Sequence, residues 1–185
     1  LFQRKALDQS SCIHVTDESE VEAVRSLGIR SPIALIPNGV DMDEFAKLDS
    51  KLNCKSSLSL PGDQKNMLFF SRIHPKKRLT LLVDVFIELA STYPDWNLLV
   101  AGSVDDENYY EKVKKQVADS GLNNRIIFFG LVSGEQRKAV FGASDLFVLP
   151  THSENFGMSI AEALSAGVPV ITTKGTPWGA IEEHS

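Results

Sequence analysis

The chain has 185 residues, 43% hydrophobic and 23% charged, with 12 Gly and 8 Pro, a composition too apolar and too balanced in charge for a disordered chain. Lys and Arg number 19 against 24 Asp and Glu, a net charge of −5, which excludes a general nucleic-acid coat but allows a local basic cluster that grips a small anion. No apolar run approaches the ~20 residues that span a bilayer, and Cys12 and Cys54 have no metal-type spacing, so a reduced, cytoplasmic compartment fits best.

The first predicted strand is Ile13-His14-Val15. Asp17 with Glu20 reads as a capping box opening a helix that carries Val21 and Val24 and closes at Gly28. Ile33 to Ile36 is the next strand, followed by the turn signal Pro37-Asn38-Gly39. From about Asp41 to Asn66 the chain is polar, without a long apolar period, and reads as a linker with one short helix. Met67 to Ser71 returns to strand. Leu79, Leu82, Val83, Phe86, Leu89, Ala90 and Tyr93 then keep the i, i+3, i+4, i+7 rhythm of a helix that Pro94 ends. Trp96 to Ala101 is a strand, and Tyr110, Val113 and Val117 form a narrower helical stripe stopped by Gly121. After the strand Arg125 to Phe129, Ser133 and Gln136 read as a second capping box, opening a helix with Val140 and Phe141 inward. Asp145 to Leu149 and Val168 to Thr172 are the last strands, with a short helix between them that ends near Gly167.

Short runs rich in β-branched and aromatic residues suit strands buried on both faces. Alternating with helices, they predict an α/β fold: a Rossmann-like parallel sheet with helices on both faces. Right-handed crossovers gather the strand C-terminal ends at one edge, where ligands bind. Residues 1–40 read as a remnant strand–helix–strand piece, 41–66 as linker and 67–185 as the main domain. The chain begins at Leu1 and ends at His184-Ser185 with no closing element, and is expected to be a piece of a longer protein.

Common catalytic signatures are missing. There is no G-x-G-x-x-G after a strand, no Walker A loop, no H-E-x-x-H helix and no G-x-S-x-G elbow. Arg72, Lys76, Lys77 and Arg78 instead place four positive charges within seven residues, directly after a predicted strand. In an acidic protein this is a seat for a phosphate or diphosphate, gripped bidentately by Arg and as a point charge by Lys. A solvated loop is the bland alternative, although positive charge at a helix start opposes the macrodipole.

A second constellation runs from Pro150 to Leu164 and holds Glu154 and Glu162, eight residues apart. On one helix they would differ by about 80° around the axis. With Glu154 in the loop and Glu162 in the first helical turns, both can border one cavity, beside backbone N–H groups able to bind an anion. Ser159-x-x-Glu162 is also a capping-box pattern, so cap and ligand roles for Glu162 both stand at this point. Thr172 to Gly179, rich in Gly and Pro, again follows a strand. Asp41-Met42-Asp43 matches a metal-binding D-x-D pattern, but its place just past a turn argues against a metal role.

Taken in order, Ile36-Pro37-Asn38-Gly39-Val40-Asp41 followed by Phe45, the basic run with Arg72 and Lys77, the Glu154-x7-Glu162 pair, and Glu162-Ala163-Leu164-x-x-Gly167-Val168-Pro169-Val170-Ile171 resemble glycosyltransferase family 4. These are retaining, nucleotide-sugar-dependent enzymes of the two-Rossmann-domain GT-B fold, and the similarity runs from about Ile13 to Trp178. The resemblance implies that Arg72 and Lys77 neutralise the donor diphosphate as it leaves. It makes Glu154 the acceptor of hydrogen bonds from donor-sugar hydroxyls, with the backbone of Asn155, Phe156 and Gly157 seating the sugar. Glu162 would bind the ribose hydroxyls, with Gly39 near the domain crevice. It implies no metal and no cofactor beyond the nucleotide-sugar donor, a carbohydrate or glycolipid acceptor, no nucleic acid, and peripheral membrane association through the N-terminal acceptor domain, at the inner membrane face. Residues 1–40 match only the end of that domain.

The Gly-Thr-Pro-Trp sequence at 175–178 looks like that of bacterial transferases building surface polysaccharide. Many family members place an acidic residue sooner after this glycine turn than Glu182 and Glu183 stand here. Two other readings compete: a non-catalytic sugar-nucleotide-binding module, and a GT-B-like sugar-nucleotide epimerase. The presence of Arg72, Lys77 and both glutamates together favours the transferase.

Overall fold

Alternating apolar runs and amphipathic stretches fold, in a computed structural model that describes residues 2–178, into two parallel sheets. The first part holds α1 (Phe2–Asp8), β1 (Ile13–Val15), α2 (Glu18–Ser26) and β2 (Ile33–Leu35). β1 and β2 pair in parallel, and Ile13, Val15 and Ile29 form a small core of their own with Leu7, Val21, Val24 and Ile33 against it. The sequence pattern does not mark α1. It is held by this cluster through Leu7, whose carbonyl accepts from Ser31 Oγ at 2.8 Å.

The stretch 41–66, expected to carry one short helix, carries two, α3 (Met42–Ala46) and α4 (Lys51–Ser57). Phe45, Cys54 and Leu60 are buried in the main core. There follow β3 (Lys65–Phe70), a 3-10 turn (Pro75–Lys77), α5 (Leu79–Leu89), β4 (Trp96–Ala101), α6 (Glu107–Ser120), β5 (Ile126–Gly130), α7 (Gly134–Gly142), β6 (Leu146–Leu149), α8 (Met158–Ser165) and β7 (Val170–Thr172). Five strands form one all-parallel sheet in the order β5-β4-β3-β6-β7. Helices flank it: α5 packs on α6, α4 on α7, and α3 on α8. Leu68, Phe69, Leu98, Leu99 and Phe147 are wholly buried within it, as strands covered on both faces must be.

The strand order runs outward from β3 to β5, then resumes at β6 on the other side of β3. This reversal is the topological switch point, and it opens a crevice beyond the C-terminal ends of β3 and β6.

Several strand ends differ from the expected ones by one or two residues, and some local differences have a visible cause. α5 stops at Leu89 rather than Tyr93, because the Arg125 guanidinium collects the carbonyls of Ala90 (2.8 Å), Tyr93 (2.6 Å) and Trp96 (2.7 Å) and draws the chain off the helix. β3 begins two residues before Met67, since Asn66 and Asn97 are buried opposite one another and hydrogen-bonded at 3.1 Å, a polar start that an apolar pattern does not mark. The capping boxes form only in part. Asp17 accepts from the Ser19 and Glu20 amides, but the Glu20 carboxylate turns to Thr16. Ser133 is the N-cap of α7 without a side-chain bond, because Gly134 follows at φ +54 where a capping box needs a right-handed helical residue.

Candidate functional site

Two loops leave the sheet at the switch point, Ser71–Arg78 after β3 and Pro150–Gly157 after β6, and their backbones are stitched together. His152 N donates to Lys76 O at 2.9 Å, and Thr151 Oγ1 to the same carbonyl at 3.3 Å. The first loop is pressed against the end of β4: a Cβ on Gly102, which sits at φ +143, would lie 1.9 Å from Ser71 O. The loop after β7 joins from the other side, where Glu154 N donates to Gly175 O at 2.9 Å and a Gly175 Cβ would lie 2.1 Å from His152 O. Glycine is needed at both places for backbones to approach this closely.

The 3-10 turn is capped by His74 Nδ1, which accepts from Lys76 N at 3.1 Å, and is closed by Arg78 in the left-handed region at φ 58. This geometry turns Lys77 inward. Its Nζ lies 2.5 Å from Glu154 Oε1, the two side chains being only 9% and 12% exposed. Arg72 remains on the surface, 63% exposed, with Nη1 at 2.5 Å from Asp105 Oδ2 beyond β4.

Glu162 is buried in the second turn of α8 and meets Arg137 of α7, Nη2 standing 2.6 Å from its Oε1. Burial pushes the Glu162 carboxyl above its ordinary range. Arg137 pulls it back down, and Glu44 adds a smaller upward push. The N-cap of α8 is Gly157 at φ 81, not Ser159, so the capping box read from Ser159 and Glu162 does not form and the Glu162 side chain is directed elsewhere.

A cleft of about 490 Å³ is lined by Arg72, Lys77, Glu154, Asn155, Phe156, Gly157 and Glu162 together. Gly39 is the exception among the expected residues: it is exposed, a Cβ there would meet nothing within 4 Å, and its neighbour Asn38 lines the cleft instead. Phe156 packs on Trp178, whose Nε1 donates to Phe156 O at 2.7 Å. Asn155 Nδ2 donates to Glu20 Oε1 at 2.8 Å, tying this loop to α2. Asp41 is the N-cap of α3, accepting from Asp43 N at 3.0 Å, a structural role for the D-x-D pattern. Glu182 and Glu183 lie outside the described residues.

Sequence reasoning missed Asp105, Arg137 and Glu44. Asp105 stands after a strand, as the basic loop does, and the sheet-edge argument could have found it. Arg137 gave no signal, since a lone Arg in an amphipathic helix reads as solvated. An apolar hollow of about 160 Å³, lined by Met67, Phe86, Trp96 and Leu146, lies at the strands' opposite ends. Its one charged residue, Arg125, is engaged with backbone carbonyls.

Residues 51–183 match the family described as glycosyl transferases group 1. The chain belongs to this family. Among relatives of this glycosyltransferase family, the lipopolysaccharide core biosynthesis mannosyltransferase LpsB of Rhizobium meliloti is 34% identical over 144 residues, 77% of this chain and 40% of its own. The D-inositol 3-phosphate glycosyltransferase of Mycolicibacterium smegmatis is 31% identical over 173 residues, 91% of this chain and 39% of its own. The chain therefore spans about two-fifths of the length of these relatives. Anabaena HepE, solved in complex with UDP and glucose, superposes with a TM-score of 0.82 at 25% identity, over 96% of this chain and 47% of that one. The C-terminal domain of the group 1 glycosyl transferase LpcC from Francisella tularensis superposes with a TM-score of 0.68 at 27% identity, over 77% and 74% of the two chains. The five-stranded domain is thus one half of a GT-B glycosyltransferase architecture.

Proposed function

We propose that this chain is the donor-binding part of a retaining glycosyltransferase of family 4, which moves a sugar from a nucleoside-diphosphate sugar to a carbohydrate or glycolipid acceptor. The observation that carries the reading is the convergence of two cations and two carboxylates, Arg72, Lys77, Glu154 and Glu162, on one cleft at the switch point. In this reading Arg72 and Lys77 neutralise the diphosphate as it departs with the negative charge of the broken glycosidic bond. No metal is needed, because the basic pair does the work of a cation. Glu154 accepts hydrogen bonds from donor-sugar hydroxyls, beside the backbone of Asn155 to Gly157. Glu162, whose side chain lines the cleft, accepts from the ribose hydroxyls. The naming of LpsB as a mannosyltransferase and the UDP held by HepE support a nucleotide-sugar donor. A cytoplasmic setting, with the acceptor domain at the inner face of a membrane, belongs to the same proposal.

Calorimetric titration with UDP, GDP and ADP, followed by assay of the full-length protein for sugar transfer from the matching nucleotide sugars, tests it. Binding of one nucleoside diphosphate together with donor turnover is the expected result. Tight binding with no transfer or hydrolysis would leave a binding module and remove the catalytic assignment.

A further inference from the structure

We infer that Arg137 is a positioning residue for the nucleotide subsite: clamped between Glu44 and Glu162, its guanidinium fixes Glu162 in an ionised, cleft-facing form. The inference rests on the assignment of Glu162 to the ribose hydroxyls made above.

Arg137 is held on three sides. Nη2 lies 2.6 Å from Glu162 Oε1 on α8, Nη1 donates to Glu44 Oε1 on α3 at 2.7 Å, and the guanidinium carbon sits 5.2 Å from the ring centre of Phe45. Phe45 is itself 3% exposed and anchored in the main core. A surface arginine that merely decorates a helix has no such enclosure, and two charge-assisted contacts plus a ring face leave this guanidinium little freedom. It engages Oε1 of a side chain that also lines the cleft, so the contact fixes the carboxylate beside the ligand space.

The second part of the argument is electrostatic. Burial disfavours the ionised form of Glu162, and Glu44 disfavours it further, whereas Arg137 is the cation in direct contact that favours it. Arg72, Lys76 and Lys77 from the loop after β3 and Glu154 from the loop after β6 line the same cleft, but the charges that act on the Glu162 carboxyl are Arg137 and Glu44. A ribose hydroxyl donates well to a carboxylate and poorly to a carboxylic acid that has lost an acceptor lone pair to its proton. Arg137 thus acts on the ligand through Glu162 and touches none of it.

The test is the pH dependence of nucleotide-sugar binding by the full-length protein, read by calorimetry with UDP-glucose, GDP-mannose and ADP-glucose. Their diphosphates carry no terminal phosphate to titrate near pH ~6. Arg137→Met is expected to weaken binding roughly tenfold at neutral pH and to move the acid midpoint of binding upward relative to the wild type. Arg137→Lys restores a cation and moves the midpoint back. Glu44→Gln is expected to move it the opposite way, downward, because the nearby negative charge is gone. Midpoints that stay put, or that move in the same direction in Arg137→Met and Glu44→Gln, overturn the inference. Should Arg137→Met fail to fold, the Glu44→Gln midpoint decides alone. Glu162→Gln separates the two levels: wild-type affinity in that variant, or no binding of any of the three probes by the wild type, overturns the ribose assignment itself. Weakened binding in Glu162→Gln with unmoved midpoints elsewhere overturns only the role of Arg137.

Discussion

Lys77 Nζ stands 2.5 Å from Glu154 Oε1, and the pair is nearly closed off from solvent. The cation assigned to the diphosphate and the carboxylate assigned to the sugar therefore neutralise each other before any donor arrives. Under the proposed function, a bound diphosphate would give Lys77 a second anionic partner and free Glu154 toward sugar hydroxyls. Removing one member alone leaves an uncompensated buried charge. Lys77→Ala is expected to cost about 3–5 kcal/mol of folding stability. The double variant Lys77→Ala/Glu154→Gln should cost clearly less than the sum of the single changes. Denaturant unfolding of the four proteins gives this double-mutant cycle, and strictly additive losses would show that the pair is not coupled.

Arg72 is the contrasting case. Its pairing with Asp105 is solvent-exposed, and such pairs contribute about 0–1 kcal/mol to stability. Arg72→Ala should leave the unfolding midpoint nearly unchanged while weakening UDP, or whichever nucleoside diphosphate binds, by about 1.5–3 kcal/mol. The corresponding nucleoside should bind as before. An equal loss for nucleoside and diphosphate would remove the phosphate role of Arg72.

Glu162 links stability to binding with opposite signs. Its folded-state carboxyl is raised by burial, only partly offset by Arg137. The folded protein therefore holds that proton to higher pH than the unfolded chain does. The resulting stability is fully present below the unfolded carboxyl value and is lost as pH rises through the folded one. At neutral pH the ionised side chain is thus a liability to the fold. Glu162→Gln should melt at a higher temperature than the wild type at neutral pH, and the difference should shrink on acidification. The same change should weaken nucleotide binding by about 1.5–3 kcal/mol. A variant that loses stability at neutral pH would show that the Arg137 contact outweighs burial.

Much of this arrangement is legible in the sequence because it depends on local patterns. Strands buried on both faces write themselves as apolar runs, and loops that follow strands must meet at one sheet edge, which is how Arg72, Lys77, Glu154 and Glu162 come to share a cleft. Contacts between distant helices leave no such trace. Arg137 meets Glu44 across 93 positions of sequence, and nothing at either position distinguishes it from a solvated charge. The end of α5 was hidden for the same reason, being set by Arg125, which lies beyond β4 and α6, just before β5. Asn66 and Asn97 defeat pattern reading in a different way: each is polar by type and buried by virtue of the other.

Gly102 connects the sheet to the site although it does not line the cleft. It sits at φ +143, where side chains are rarely tolerated, and the place of its missing Cβ is 1.9 Å from Ser71 O. Ser71 N also donates to Ala101 O at 3.0 Å, and Ile73 N to Ser103 O at 2.8 Å, so the two chain segments run in contact as they leave β3 and β4. A methyl group at Gly102 must push the Ser71–Arg72 backbone away from β4 and toward the cleft. Gly102→Ala is expected to lose about 1–3 kcal/mol of stability, the usual scale for overpacking a close contact. Because the displaced segment carries Arg72, diphosphate affinity should fall in the protein that remains folded, measured below its melting transition. Destabilisation with unchanged diphosphate affinity would mean that the loop absorbs the methyl group without moving Arg72, and that the close approach serves packing alone.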